Sequence, residues 1–193
     1  MTSAIGIAGF DSKFQADPDP WGTFAGRDEA RKRAAIKHAI GARSHGRVLE
    51  LAAGNGSNSH MILSRSLRLV SCDGAPTAVD LTRQNLSGRP RAKVEQCVLP
   101  EELPDGRFNL VVAAEILYYL SPTKLARLAS NFRRLLSPNG SIVLAHHHLR
   151  FDDAATQPSG VHERFIGMLP FAARNQWKFR NSRWVVERYA RIR

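Results

Sequence analysis

Apolar residues along this chain fall into short runs that alternate with segments of helical period. Residues 27–40 read as a helix: Ala34, Ala35, Ala39 and Ile40 lie among strong helix formers, and Gly41 is placed to stop it. A short apolar run at 48–51 ends in a glycine-rich turn, and Met61, Ile62 and Leu63 sit in the helix that follows. A second run, 67–72, ends at Asp73. Pro76 then opens a helix through Leu81 to Leu86, and 93–98 is a third strand. Residues 108–113 (FNLVVA) form the most apolar run, as a strand buried on both faces should. Ser121-Pro122 pairs an N-cap with a first-turn proline. The helix it opens sets Leu125, Leu128, Phe132 and Leu135 on one face. Pro138-Asn139-Gly140 turns the chain into a fifth strand at 141–145.

Strands and helices alternating over short connections predict a parallel sheet covered by helices. The tail differs: 175–180 and 184–191 read as two strands joined at Asn181-Ser182, a hairpin and therefore antiparallel. The expected fold is thus α/β: a Rossmann-like, seven-stranded, mostly parallel sheet with a C-terminal antiparallel hairpin and helices on both faces. Residues 1–26, rich in Asp, Pro and Gly, read as an irregular lead-in or lid ahead of a single domain at 27–193.

Composition narrows the partners. The 193 residues are 43% hydrophobic and 23% charged, ordinary values for a globular chain and too apolar for a disordered one. No apolar stretch reaches the ~18 residues of a membrane span, and the N-terminus lacks the pattern of a secretory signal. The two cysteines, Cys72 and Cys97, do not make a disulfide framework, which points to a reducing, cytoplasmic setting. The net charge of +11 favours polyanions or acidic substrates. The basic residues are dispersed, however, and neither zinc-finger spacing nor an aromatic RNA-binding signature is present, so nucleic acid is the lesser expectation.

The candidate chemistry lies at the first strand–turn–helix, VLELAAGNGSNS at 48–59. Gly54 and Gly56 permit a tight turn and close ligand approach. In open α/β sheets ligands bind beyond the carboxyl ends of the strands, where an acid at Asp73 can hold ribose hydroxyls. A dinucleotide site is the competing reading, but the position after Gly54-x-Gly56 that should carry Gly or Ala is Ser59. An acid as early as Glu50 also sits poorly beside pyrophosphate and suits a cationic ligand with an amino group.

With these residues the chain resembles the class I S-adenosylmethionine-dependent methyltransferases. The run from Glu50 to Gly56 is similar to the family's E/D-x-G-x-G-x-G loop, with Ala52 for its first glycine, and Asp73 matches the ribose-binding acid. Pro138-Asn139-Gly140 resembles the turn before the family's fifth strand, and the terminal hairpin resembles its strands six and seven. DPDPWG at 17–22, AAEILYYL at 113–120 and the histidines before Gly160-Val161-His162 are similar to the NodS-like subfamily, whose type member N-methylates an amino sugar.

The resemblance implies S-adenosylmethionine as cofactor, held by Glu50, Ala52, Gly54, Gly56, Asp73, Gly74, Val98, Leu99, Glu115 and Ile116. Trp21 and Phe24, ahead of the first helix, either form a lid over the sulfonium, where aromatic faces favour a cation, or simply pack, and Arg31 from that helix is a further expected cofactor contact. It also implies a small-molecule methyl acceptor served by Glu115, Tyr119 and a strand-five histidine. His146 and His148 share a strand face and His147 points away, so His146, nearer Glu115, is the expected base. The same pair with His162 could only complete a metal site from afar, and no metal is expected. Two rivals stand beside this reading: a basic RNA- or DNA-associated protein of the same fold, and a non-catalytic binder of adenosyl ligands. A nicotinamide dehydrogenase is a third. The sequence leaves the acceptor, N- versus O-methylation and the oligomeric state open.

Overall fold

A computed structural model describes residues 4–192. Seven strands form one sheet in the order β3-β2-β1-β4-β5-β7-β6. They are β1 His45–Leu51, β2 Ser66–Asp73, β3 Ala92–Gln96, β4 Phe108–Ala114, β5 Leu136–His147, β6 Ala173–Arg180 and β7 Trp184–Arg191. The first five run parallel; β7 lies antiparallel to β5, and β6 to β7. The mostly parallel sheet with its antiparallel hairpin is therefore the one read from the alternation of runs. β5 starts earlier than expected, because the Pro138-Asn139-Gly140 stretch is absorbed into the strand beside a register shift between Phe108 and Leu110.

The strand residues alternate between two apolar layers, as a period of two requires. Leu49, Leu51, Val111, Ala113, Ile142 and Leu144 pack beneath α5 (Pro122–Leu135) and α6 (Val161–Gly167). Val48, Leu110, Val112, Val143 and Ala145 pack beneath α2 (Arg27–Ile40) and α3 (Ser59–Leu63). In α5 the stripe read from the sequence is buried, and Ser121 caps the helix through its hydroxyl. Each large side chain so buried contributes about 1.5–3 kcal/mol. No helix among the described residues is long and apolar enough to cross a membrane.

The expected irregular lead-in is corrected. Its residues 1–3 lie outside the described residues, but Ile7–Ala16 form a ten-residue helix, α1. The sequence reading weighted the Asp, Pro and Gly of 17–22 and missed the spacing of Ile7, Phe10 and Phe14. Phe14 is buried against Ala75 and Ala78, at the start of α4 (Pro76–Asn85). Asp11 accepts a hydrogen bond at 2.8 Å from the Thr77 N–H in the first turn of α4, satisfying a donor that a helix start leaves free. The lead-in is thus packed on the domain rather than hung before it.

Candidate active site

The carboxyl ends of β1, β2, β4 and β5 open into a cavity of about 600 Å³, within the range of small-molecule sites. Its floor is the turn after β1. The chain reverses there through left-handed backbone at Ala52 (φ 52°), Gly54 (φ 59°) and Gly56 (φ 80°). Ala52 holds a conformation that costs an L-residue about 1–2 kcal/mol. The turn is closed from β2: Asp73 accepts the Gly54 N–H on Oδ2 and the Ala75 N–H on Oδ1, each at 2.9 Å. Burial raises the pKa of Asp73, and the backbone N–H bonds oppose that rise.

Several expected residues do meet here. Ala52, Gly54, Asp73 and Gly74 line the floor, and Leu99 lines the β3 side. Glu115, Ile116 and Tyr119 line the β4 side, and Trp21, 45% exposed, stands over the opening. Others do not reach the cavity. Gly56 packs against α4, where an added Cβ would come within 3.2 Å of the Thr82 main chain. Glu50 lies behind the turn, buried, and its Oε2 accepts the hydroxyls of Ser59 at 2.6 Å and Ser71 at 2.7 Å. Val98 does not line the cavity, and its N–H is held by Glu102 at 2.9 Å. Arg31 is exposed beside Asp28 because the helix turns its neighbour Lys32 inward instead. Phe24 is exposed and lines no part of the cavity.

The histidine assignment is reversed. His146 continues the Ile142–Leu144 face toward α6 and is fully buried there, not in the cavity. Its Nε2 accepts the N–H groups of Ile116 and Leu117 at 3.1 and 3.0 Å. Nδ1 must then carry the proton and donate to His162 Nε2 at 2.9 Å, and His162 Nδ1 donates to Glu187 at 2.7 Å. Burial drives the pKa of His146 well below its ordinary value, in keeping with a neutral ring. His147, on the other face, lines the cavity.

Glu115 is the hub of the β4 side, in left-handed backbone at φ 55°. Its Oε1 accepts Lys32 Nζ at 2.8 Å; its Oε2 accepts the Tyr118 hydroxyl, His147 Nδ1 at 3.0 Å and the His147 N–H at 3.2 Å. Burial alone would raise the pKa of Glu115, but Lys32 and His147 outweigh it and hold the carboxyl far below its ordinary value. Lys32 is only 3% exposed; burial would lower its pKa, yet Glu115 and Glu29 together hold it above its ordinary value. Burial pushes the Tyr119 phenol up, which keeps it protonated, and the residue lines the cavity.

Sequence reasoning missed the roles of Phe10, Lys32, Asn55 and His147. Phe10 meets the edge of Tyr119 with ring centroids 4.8 Å apart, and Phe14 meets Trp21 at 5.3 Å. The side chain of Asn55 donates to Pro18 O at 3.1 Å and to Asp19 at 3.0 Å, tying the lead-in to the glycine turn. The helical spacing of Ile7, Phe10 and Phe14 was a readable signal. Lys32 also lay on the apolar period of its helix with Ala35, Ile36 and Ala39, whereas Asn55 carried no signal.

Comparison with known proteins agrees with this fold. Residues 49–142 match the methyltransferase-domain family. Over 138 residues the chain is 27% identical to an uncharacterised methyltransferase of Synechocystis sp., covering 70% of this chain and 61% of that one. Over 131 residues it is 28% identical to nodulation protein S of Rhizobium tropici, covering 66% and 55%. The chain thus spans little more than half the length of these curated relatives. The crystal structure of the N-methyltransferase NodS from Bradyrhizobium japonicum with S-adenosylhomocysteine superposes with a TM-score of 0.83 at 17% identity, over 98% of this chain and 100% of that one.

Proposed function

Because this chain carries a methyltransferase domain in the fold of the S-adenosylmethionine-dependent enzymes, we propose that it transfers a methyl group from S-adenosylmethionine to a nitrogen or oxygen of a small molecule, of the amino-sugar or secondary-metabolite kind. The observation that carries this reading is the Asp73–Gly54 closure at the floor of the cavity. Each Asp73 oxygen has taken one backbone N–H and keeps capacity for another donor, which suits two ribose hydroxyls. Gly74 keeps the wall beside it narrow: a Cβ there would meet Ile7 at 3.2 Å. When bound, the cofactor supplies a methyl group already activated by a sulfonium.

The chain's own residues supply position and electrostatics. Aromatic walls at Phe10, Trp21 and Tyr119 suit a sulfonium, while the lining carboxylates Glu29, Asp73, Glu115 and Asp153 are matched by Lys32, Lys124, Arg150 and Arg183. Holding acceptor and methyl donor in line is itself worth several kcal/mol. At the end of the sheet away from the cavity some of the basic residues have structural roles: Arg65 donates to Ala42 O, Arg91 to Ser66 O and Arg191 to Leu136 O. A non-catalytic adenosyl binder would hold the cofactor yet methylate no acceptor. Cys72 and Cys97 are both free, which suits work in the reducing cytoplasm.

Calorimetry with S-adenosylmethionine and S-adenosylhomocysteine, with NAD as control, tests the assignment. Asp73→Ala should weaken both adenosyl ligands about ten- to a hundredfold, the value of a charge-assisted hydrogen bond of about 1.5–3 kcal/mol. Unchanged affinity in a folded variant would remove Asp73 from the site.

A further inference from the structure

We propose that His147, positioned by Glu115, is the proton acceptor of the reaction, and that the methyl acceptor is an amine that reaches the site as an ammonium. The proposal rests on the methyl-transfer reading above. The Glu115 carboxylate can only accept hydrogen bonds, so His147 Nδ1 must be the donor in their 3.0 Å contact. In the neutral ring that fixes the tautomer and leaves the lone pair on Nε2. Nε2 has no hydrogen-bond partner among the described residues, and the side chain is 30% exposed in the cavity wall. A ring oriented through one nitrogen with the other free is the arrangement a general base needs.

The surroundings hold that orientation. From α2, Lys32 binds Glu115 and Glu29. From the turn after β4, Tyr118 donates to Glu115, and Tyr119 stands beside it. On β5, His146 is committed to His162, and His148 Nε2 to the Asn181 carbonyl. From the β6–β7 turn, Arg183 is paired with Asp28 at 2.8 Å, and Asp153 is paired with Lys13 at 3.2 Å. Arg150 lines the same cavity. The left-handed backbone of Glu115 is pinned from both sides: its N–H donates to Ala145 O at 2.8 Å, and the next two N–H groups are held by His146 Nε2. Strained backbone held so firmly is characteristic of functional sites. His146 therefore acts by placing Glu115, and His147 by touching the acceptor.

In the proposed step an ammonium gives one proton to His147 Nε2, and the imidazolium's other N–H already faces a carboxylate. The freed nitrogen lone pair forms a bond to the methyl carbon as that carbon's bond to sulfur breaks. The electron pair stays on sulfur, and His147 passes its proton to water. An ammonium cannot attack until it loses a proton, so an amine acceptor gives the imidazole its task at neutral pH; because histidine bases also activate hydroxyls, the diol probe below tests the alternative.

Nitrogen-15 spectra of the histidine-labelled free protein should show His147 protonated on Nδ1 and bare on Nε2, and Glu115→Gln should disturb that tautomer. The opposite tautomer in the unsubstituted protein overturns the proposal. Diethyl pyrocarbonate, which acylates a bare ring nitrogen, should modify His147 ahead of His146 and His162; a protected His147 overturns it too. With labelled S-adenosylmethionine, the probes glucosamine and ethanolamine should accept methyl and ethylene glycol should not. His147→Gln should lower transfer about 10²–10⁴-fold at neutral pH, with the loss shrinking as rising pH frees the amine without help, while S-adenosylhomocysteine binds as before. Transfer to ethylene glycol alone, transfer to none of the probes, or a His147→Gln rate within twofold at every pH refutes the base and its amine. Failure of the unsubstituted protein to bind S-adenosylhomocysteine would instead sink the methyl-transfer reading beneath them.

Discussion

Replacing Glu50 with Gln removes a carboxyl group that the fold buries behind the glycine turn, and the structure sets the size and sign of the effect. Burial is the largest influence on Glu50; the hydroxyls of Ser59 and Ser71 oppose it and the Asp73 charge adds to it, leaving the pKa raised from 4.5 to about 7. The native state therefore binds this proton more tightly than the unfolded chain. Below about pH 4.5 both states are protonated and nothing is lost. Between about 4.5 and 7 the unfolded chain ionises while the native one does not, and stability falls as pH rises. Above about 7 the full difference is present, about 3 kcal/mol at 1.36 kcal/mol per unit. A Gln carbonyl can accept the same two hydroxyls without the charge. Glu50→Gln should therefore be more stable than the unsubstituted protein by less than about 1 kcal/mol at pH 5 and by about 3 kcal/mol at pH 8. For a chain this long 1 kcal/mol moves the midpoint by about 2–4 °C, so the gap at pH 8 should be about 6–12 °C. Thermal unfolding followed by circular dichroism at the two pH values measures it. A gap of equal size at both, or a variant less stable at pH 8, would refute the linkage.

Two further substitutions probe the site from either side. Gly54→Val forces a β-branched residue into φ 59° and sets its Cβ 3.5 Å from the Phe14 ring, so binding of S-adenosylhomocysteine should be lost in calorimetry; a folded variant that binds normally would show the turn is not the cofactor's. His146→Ala should strip partners from the N–H groups of Ile116 and Leu117, at about 1–3 kcal/mol for each group left unpaired. The midpoint should drop and amide exchange should rise at 115–117, while cofactor affinity changes less than for Asp73→Ala; undiminished stability would show that His146 does not hold this segment.

What the chain determines by itself is what local periodicity encodes. Apolar runs separated by turn residues placed the first five strands, the α5 stripe and the terminal hairpin, because burial on a period of two or 3.6 is a property of consecutive residues. The same order set Gly54, Asp73, Glu115 and Tyr119 at strand ends, and so in one cavity. Tertiary structure decided which face each strand-end residue looks toward. Adjacent histidines on β5 have opposite fates because α6 covers one side of the strand and α2 the other. Lys32 shares the buried face of α2 with Ala35, Ile36 and Ala39 at helical spacing, but a lysine is tolerated there because Glu115, 83 residues away, completes its ion pairing. Asn55 likewise acquires its role only when the lead-in folds back onto the turn. Contacts of this kind depend on which surfaces meet, and no period in the chain records them.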